Sequence, residues 1–249
     1  MESATELAFR QSHVYLDVLR EKGFVELQPY NGPYIDLSEW EDAEYVTWKS
    51  SGAEVFAPIA SALGELECGG FWDHGKPDKD GVWTVNAERC PSLVRWTKEV
   101  GARFGRVRVI KLAPQNDDRA THLLHLDDNN RLNPEGEGWV VRTWLELTDN
   151  PGSYMIVRSV KDDPSTETRI ELRKGAQYVV DSERLYHAVT HAGPHTRYAV
   201  IASFECGRSS KSGSRAVFPR ARDRARGKTR ILMTRPAAAA KAPPVARFR

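Results

Sequence analysis

From residue 106 to residue 206 apolar side chains come in short blocks of four to nine positions, rich in β-branched and aromatic residues. Val107–Leu112, Thr121–Leu126, Trp139–Leu147, Tyr154–Val160, Thr168–Leu172, Gln177–Val180, Leu185–Thr190 and Arg197–Phe204 are each predicted as a strand. Between them stand turn formers: Asp149-Asn150-Pro151-Gly152, Asp162-Asp163-Pro164, Lys174-Gly175 and Gly193-Pro194. Short strands with regular breaks predict a mainly β fold, a sandwich or jelly-roll barrel, with flanking helices packed outside it.

The first hundred residues follow another pattern. Leu7, Val14, Leu16, Val18 and Leu19 fit one face of a helix over 4–22, stopped by Gly23, and Phe24–Leu27 reads as a short strand. Residues 30–56 are irregular, rich in acids and in aromatics (Trp40, Tyr45, Trp48). A helix is predicted around 57–66, and a Gly-rich segment with Phe71, Trp72 and Trp83 follows. Pro91 suits the first turn of a further helix over 91–103, ended near Gly105. After 207 the periodicity vanishes into Ser, Arg, Ala and Pro, a composition that predicts disorder. The expected division is a helical and irregular support region (1–104), a β core (105–206) and a basic tail (207–249).

Composition adds compartment and charge. The 249 residues are 40% hydrophobic, enough for one well-cored domain. The chain holds no eighteen-residue apolar run, so no membrane partner is expected, and the N-terminus lacks signal-peptide character. Cys68, Cys90 and Cys206 show neither CxxC spacing nor a disulfide framework, and a cytoplasmic location is expected. The net charge of +2 hides a split. Residues 207–249 carry 13 Lys/Arg against the single acid Asp223, leaving 23 Lys/Arg and 33 Asp/Glu in the body. A solvated tail is one reading; attraction to nucleic acid or another polyanion is a second, and substrate recruitment a third. No nucleic-acid-binding motif accompanies the tail.

The candidate chemistry sits inside the β-rich stretch. His125 and Asp127 are two residues apart, on one face if the chain is extended there, and His187 lies in another β segment. Two imidazoles and one carboxylate make a three-ligand site with open positions, suited to a non-haem ferrous ion. Arg197, ten residues after His187, offers a fork of donors to a carboxylate in the same cavity. An HxD pair alone is weak evidence; the ordered set is stronger. His191 and His195 are rivals to His187, His122 lacks a carboxylate two residues on, and Asp128 points away from Asp127 on a strand. Trp72, Trp83, Trp139 and Tyr154 either line a pocket or pack. Asn129, Asn130 and Arg131 follow the pair and stand where they can touch a substrate.

The order HxD, His, then Arg resembles the Fe(II)/2-oxoglutarate-dependent oxygenases with a double-stranded β-helix (jelly-roll, cupin-like) core. Val109-Ile-Lys-Leu-Ala-Pro114, Val141-Arg142-Thr-Trp-Leu-Glu-Leu-Thr148-Asp-Asn-Pro-Gly152, Leu172 to Asp181 and Leu185-Tyr-His-Ala-Val189 are similar to the aspartyl/asparaginyl β-hydroxylase and proline cis-4-hydroxylase branch. The resemblance spans about residues 105–206. It implies His125, Asp127 and His187 as iron ligands, Arg197 as clamp of the far carboxylate of 2-oxoglutarate, and Arg142 as a further co-substrate contact. Where the branch often has a histidine, this chain has Trp144. The implied reaction consumes 2-oxoglutarate and O₂, with ascorbate as reductant in vitro, and hydroxylates an amino acid, a small molecule or a peptidyl residue. The retained Asp127 favours oxygen insertion over halogenation. The alternative is a cupin-like metal barrel with a non-oxidative role, an isomerase, hydrolase or degenerate binding module.

Overall fold

A computed structural model describes residues 17–47, 54–115, 117–133 and 138–206. In chain order its elements are α1 (Asp17–Lys22), β1 (Phe24–Glu26), α2 (Ser38–Glu41), β2 (Val46–Thr47), β3 (Glu54–Ser61) and β4 (Val82–Trp83). Then come α3 (Asn86–Arg89), α4 (Pro91–Glu99), β5 (Phe104–Leu112), α5 (Asp117–His122), β6 (Trp139–Glu146) and β7 (Ser153–Arg158). The chain continues through β8 (Glu167–Glu171), β9 (Gln177–Val180), β10 (Tyr186–His191) and β11 (Arg197–Cys206).

An eight-stranded sheet runs β1-β9-β6-β11-β5-β3-β2, with β4 on β3, and a three-stranded sheet runs β10-β7-β8. From β6 onward the chain passes from the large sheet to the small one and back, which is the double-stranded β-helix. Period-two alternation decides which side chains meet. Ile110 of β5, Trp144 of β6, Tyr178 and Val180 of β9, and Ala199 and Ile201 of β11 cluster with Met155, Val157 and Ile170 of the small sheet. The opposite faces of the large sheet carry Val107, Val109, Leu145, Val200 and Phe204, which pack under Leu93 and Trp96 of α4. Strand β11 is therefore covered on both sides, and nine of its ten residues are buried.

Three predicted elements are corrected. Residues 57–66 are not a helix: β3 covers Glu54–Ser61 and pairs with β5, with a register shift between Pro58 and Ala60. The run Phe56-Ala-Pro-Ile-Ala60 is apolar on both faces because core lies on both sides, so its period carries no strand signature. Thr121–Leu126 is not a strand either. Thr121 and His122 end α5, and beyond them only His125 makes a β-bridge, to His187. The helix from Pro91 stops at Glu99, and Gly101, at φ +71°, turns the chain into β5. The expected helix over 4–22 is described from Asp17 onward, and the tail expectation for 207–249 lies outside the described residues.

Candidate metal centre

His187 occupies the inward row of β10, in register with Val157 of β7. His125 is brought to it by two backbone hydrogen bonds, His125 N to His187 O (3.3 Å) and His187 N to His125 O (3.0 Å). Asp127 is then fixed by its own N–H, which donates to Ser182 O at 2.8 Å. One ligand atom from each of His125, Asp127 and His187 lies within 4.8 Å of the others. His125 Nε2 is 3.7 Å from Asp127 Oδ1 and His187 Nε2 is 3.9 Å from Oδ2. Both Nδ1 atoms face backbone carbonyls, Leu123 O at 2.9 Å and Leu185 O at 3.3 Å. Donation there assigns the Nδ1–H tautomer to each ring and leaves both Nε2 lone pairs toward the carboxylate.

The protonation states match that geometry. Burial pushes the His187 imidazole down to about 4, against the pull of Asp127, so the ring is neutral near pH 7. Burial works against ionisation of Asp127 more than any single neighbour favours it, but Arg142, His187 and His125 together outweigh it and hold the carboxyl well below its usual range. Two imidazoles with Nε2 turned inward and one ionised carboxylate, converging with one side of the site open, fit a divalent iron. Trp144 fixes the His187 ring edge-on at 6.0 Å and itself stacks on Tyr178 at 5.5 Å.

Arg142, from β6, ties the carboxylate to a distant part of the chain. Its Nε donates to Asp127 Oδ2 at 2.9 Å, its Nη1 lies 3.2 Å from Asp78 Oδ2, and it also bonds Ser203 Oγ. Ser203 Oγ donates to the same Asp78 oxygen at 2.9 Å, and Asp78 Oδ1 accepts the Arg106 N–H at 2.8 Å. Asp78 thus belongs to the site, although no motif in the sequence marks it. Its trace there is Gly105, where a Cβ would stand 2.1 Å from Asp78 O.

Arg197, at the start of β11, has no exposed side-chain surface. Its Nε donates to Glu146 Oε2 at 2.9 Å and its Nη2 to Oε1 at 2.5 Å, while Tyr178 Oη donates to that same Oε1 at 2.7 Å. Nη1 is buried with no hydrogen-bond partner among the described residues. Arg197 lines a cavity of about 90 Å³ with Trp144, Met155, Ile110 and the three candidate ligands. A larger cavity of about 630 Å³ meets it at His125, Asp127 and Arg142, and is walled by Phe56, Phe71 and Trp72. The metal centre stands between the two.

Three solved structures are similar to this chain. One is an oxidoreductase of the 2OG-Fe(II) oxygenase family from Burkholderia pseudomallei, at 12% identity over 82% of this chain and 90% of that one, TM-score 0.47. Another is a Trichoplax adhaerens prolyl hydroxylase in complex with a hypoxia inducible factor peptide, at 12% identity over 83% and 94%, TM-score 0.44. A Pseudomonas putida prolyl-4-hydroxylase matches at 15% identity over 77% and 96%, TM-score 0.43. No protein-family model matches the chain, and no curated protein does. At such identities neither activity nor substrate carries across from these proteins.

The other candidates have separate places. His191 is a structural residue, with Nδ1 2.8 Å from Ser153 Oγ and Nε2 2.5 Å from the backbone oxygen of His195. His122 is exposed at the rim of the larger cavity, and Asp128 pairs with Arg131 at 3.3 Å. Asn129 donates to Ser182 Oγ and Asn130 to Val140 O, both at 3.0 Å, so these amides hold the loop after Asp127. Arg131 lies 4.0 Å over the Trp72 ring at the cavity mouth. Trp83 packs on Phe104, Trp139 is buried beside Leu19, and Tyr154 receives Arg169.

Proposed function

We propose that this chain is an Fe(II)- and 2-oxoglutarate-dependent dioxygenase that hydroxylates an amino acid, a small metabolite or a peptidyl residue. One observation carries the reading: three candidate metal donors converge beside a small cavity lined by a buried arginine whose Nη1 has no hydrogen-bond partner among the described residues. Fe(II) bound with 2-oxoglutarate and O₂ supplies oxidative decarboxylation coupled to hydroxylation. His125, Asp127 and His187 would hold the iron. Arg142 holds Asp127 Oδ2, so Oδ1 would be the atom to meet the metal, and Nη1 of Arg197 would pair with the far carboxylate of the co-substrate. Ile110, Trp144 and Met155 keep water from that pocket.

A non-oxidative metal barrel is the second reading, favoured by the two-point pair that Arg197 already makes with Glu146. Calorimetry decides between them. The chain loaded with Zn(II) as a redox-inert stand-in is expected to bind 2-oxoglutarate. Arg197→Met is expected to weaken that binding at least tenfold while metal affinity holds, and His125→Ala to remove both. Succinate formation with Fe(II) and ascorbate is the matching activity measurement. Absence of 2-oxoglutarate binding, together with absence of succinate, removes the oxygenase reading.

A further inference from the structure

Three large apolar side chains left exposed to water share one cavity. Trp72, Leu126 and Leu132 are 41%, 40% and 39% exposed, and all three line the larger cavity together with the buried Phe71. None of these four lines the small cavity beside Arg197. Phe71 and Trp72 belong to a turn of 3₁₀ helix (Phe71–His74), and Leu126 and Leu132 to the chain on either side of Asp127. Leu126 stands between two of the candidate metal donors, so the apolar surface reaches the centre itself. Single apolar residues scattered over a surface are ordinary, whereas several on one concavity mark the contact surface of a ligand.

Trp72 is held in place ahead of any ligand. At Gly70 a Cβ would stand 2.6 Å from the indole Nε1 and 3.0 Å from two further ring atoms, so the indole lies against the Gly70 backbone. Arg131 covers the ring at 4.0 Å and pairs in turn with Asp128 at 3.3 Å. An aromatic side chain already fixed gives up little freedom when a ligand meets it. The polar neighbours are turned to protein partners. Asp73 accepts the Gly70 N–H at 3.0 Å, Lys76 Nζ donates to Ala62 O at 2.8 Å, and Asn129 donates to Ser182 Oγ at 3.0 Å. Arg106 Nη2 donates to Gly69 O at 3.3 Å, and the Arg108 guanidinium lies 3.9 Å over the Phe56 ring. Carbon is therefore the larger part of what a ligand would meet. The volume, about 630 Å³, falls inside the range of small-molecule sites, on the order of 300–1,000 Å³.

We propose that the larger cavity takes a small, neutral, ring-bearing substrate, with its apolar body against Phe71, Trp72, Leu126 and Leu132 and one of its carbons toward the metal centre. That the occupant is a substrate rests on the oxygenase reading; that the cavity binds a neutral ring compound does not. Of the classes the proposed reaction allows, this selects a small metabolite over a free amino acid, because a zwitterion would bring two charges to a surface that is mainly carbon.

Fluorescence titration of the full chain with N-phenyl-1-naphthylamine, a neutral probe whose emission rises when it leaves water, tests this. It is run with Zn(II) and saturating 2-oxoglutarate, and again without either. Saturable binding is expected in both states, with displacement by 2-naphthol and none by proline, aspartate or a prolyl tripeptide at the same concentration. Trp72→Ala and Leu132→Ser are each expected to weaken the probe about fivefold or more, with calorimetric 2-oxoglutarate affinity within twofold of wild type. Trp72→Phe keeps a ring and is expected to stay within threefold of wild type. Val160→Ser, at an exposed apolar position that does not line the cavity, is expected to change nothing. Absence of saturable binding overturns the proposal, as does binding that survives both Trp72→Ala and Leu132→Ser. Displacement by the amino acids or the peptide but not by 2-naphthol overturns it too, and so does an equal loss in Val160→Ser, which would make the probe a general surface binder. Wild-type chain that binds the probe but no 2-oxoglutarate removes the proposed function and leaves the apolar site standing; 2-oxoglutarate bound without the probe does the reverse. If Trp72→Ala loses the wild-type circular dichroism, Leu126→Ser takes its place in the metal-free titration, with the same loss expected.

Discussion

At the scale of single residues, burial sets the behaviour of the charged groups. Arg197 and Glu146 are both without exposed side-chain surface and satisfy each other at two points, with Tyr178 bonding to the same carboxylate. Glu146→Ala leaves a buried cation unpaired, and about 3–5 kcal/mol of stability is expected to be lost in urea unfolding. A loss under 1 kcal/mol would mean that water reaches Arg197. Asp181 behaves in the opposite way: burial pushes its carboxyl up to about 7, against the lowering influence of Arg184 and a hydrogen bond with Trp139. Unfolded, the same carboxyl titrates near its ordinary 3.8. Between those values the folded chain holds more protons than the unfolded one. Its contribution is therefore fully present below about pH 4 and declines as pH rises toward 7, by at most about 4 kcal/mol. The difference in unfolding free energy between wild type and Asp181→Asn is expected to show that slope; a flat difference refutes it.

At the scale of elements, close approach decides where the candidate metal ligands are braced. Gly105 opens β5 where the backbone of Asp78 passes, so close that an alanine Cβ would meet the Asp78 carbonyl carbon at 2.2 Å. That contact lets Asp78 reach Arg142, and Arg142 reach Asp127. Gly105→Ala is expected to leave the sheet pairing intact but to lower Zn(II) affinity about 10–100-fold, the range for loss of support behind a ligand. Competition against a chromogenic chelator measures this, and wild-type affinity in the variant would show that Asp78 is dispensable. The glycine was visible in the sequence, its neighbour was not. A strand-opening glycine tells only that something comes close.

For the whole molecule, the described residues ahead of β5 are part of the barrel. Strand β3 pairs along β5, β1 pairs with β9, and α4 covers the outer face of the large sheet. A chain lacking residues 1–104 would expose Val107, Val109, Val200 and Phe204 together with the β5 edge. It is expected to show no cooperative thermal transition, and recovery of a soluble fragment that binds Zn(II) would contradict this. Among the described residues no helix is long and apolar enough to cross a membrane.

Strands such as β6, β9 and β11 were legible because β-branched and aromatic blocks bounded by turn residues leave few other conformations. His125, Asp127 and His187 could be picked out because a metal site restricts its donors to a few residue types. Spacing alone did not place them: the expected strand at 121–126 is a helix end and a single bridge, and the pairing of His125 with His187 across the small sheet brings the donors together. The sequence determined the alternation, the mainly β class and the choice of candidate metal donors, because these depend on local conformation and side-chain chemistry. Only the tertiary structure decided that 54–61 extends as a strand, that Glu146 answers Arg197, that Asp78 braces Arg142, and that Arg106 and Arg108 line a cavity with His125 and Asp127. Each of those depends on which distant segments come into contact and exclude water, and contacts of that kind leave no periodic trace along the chain.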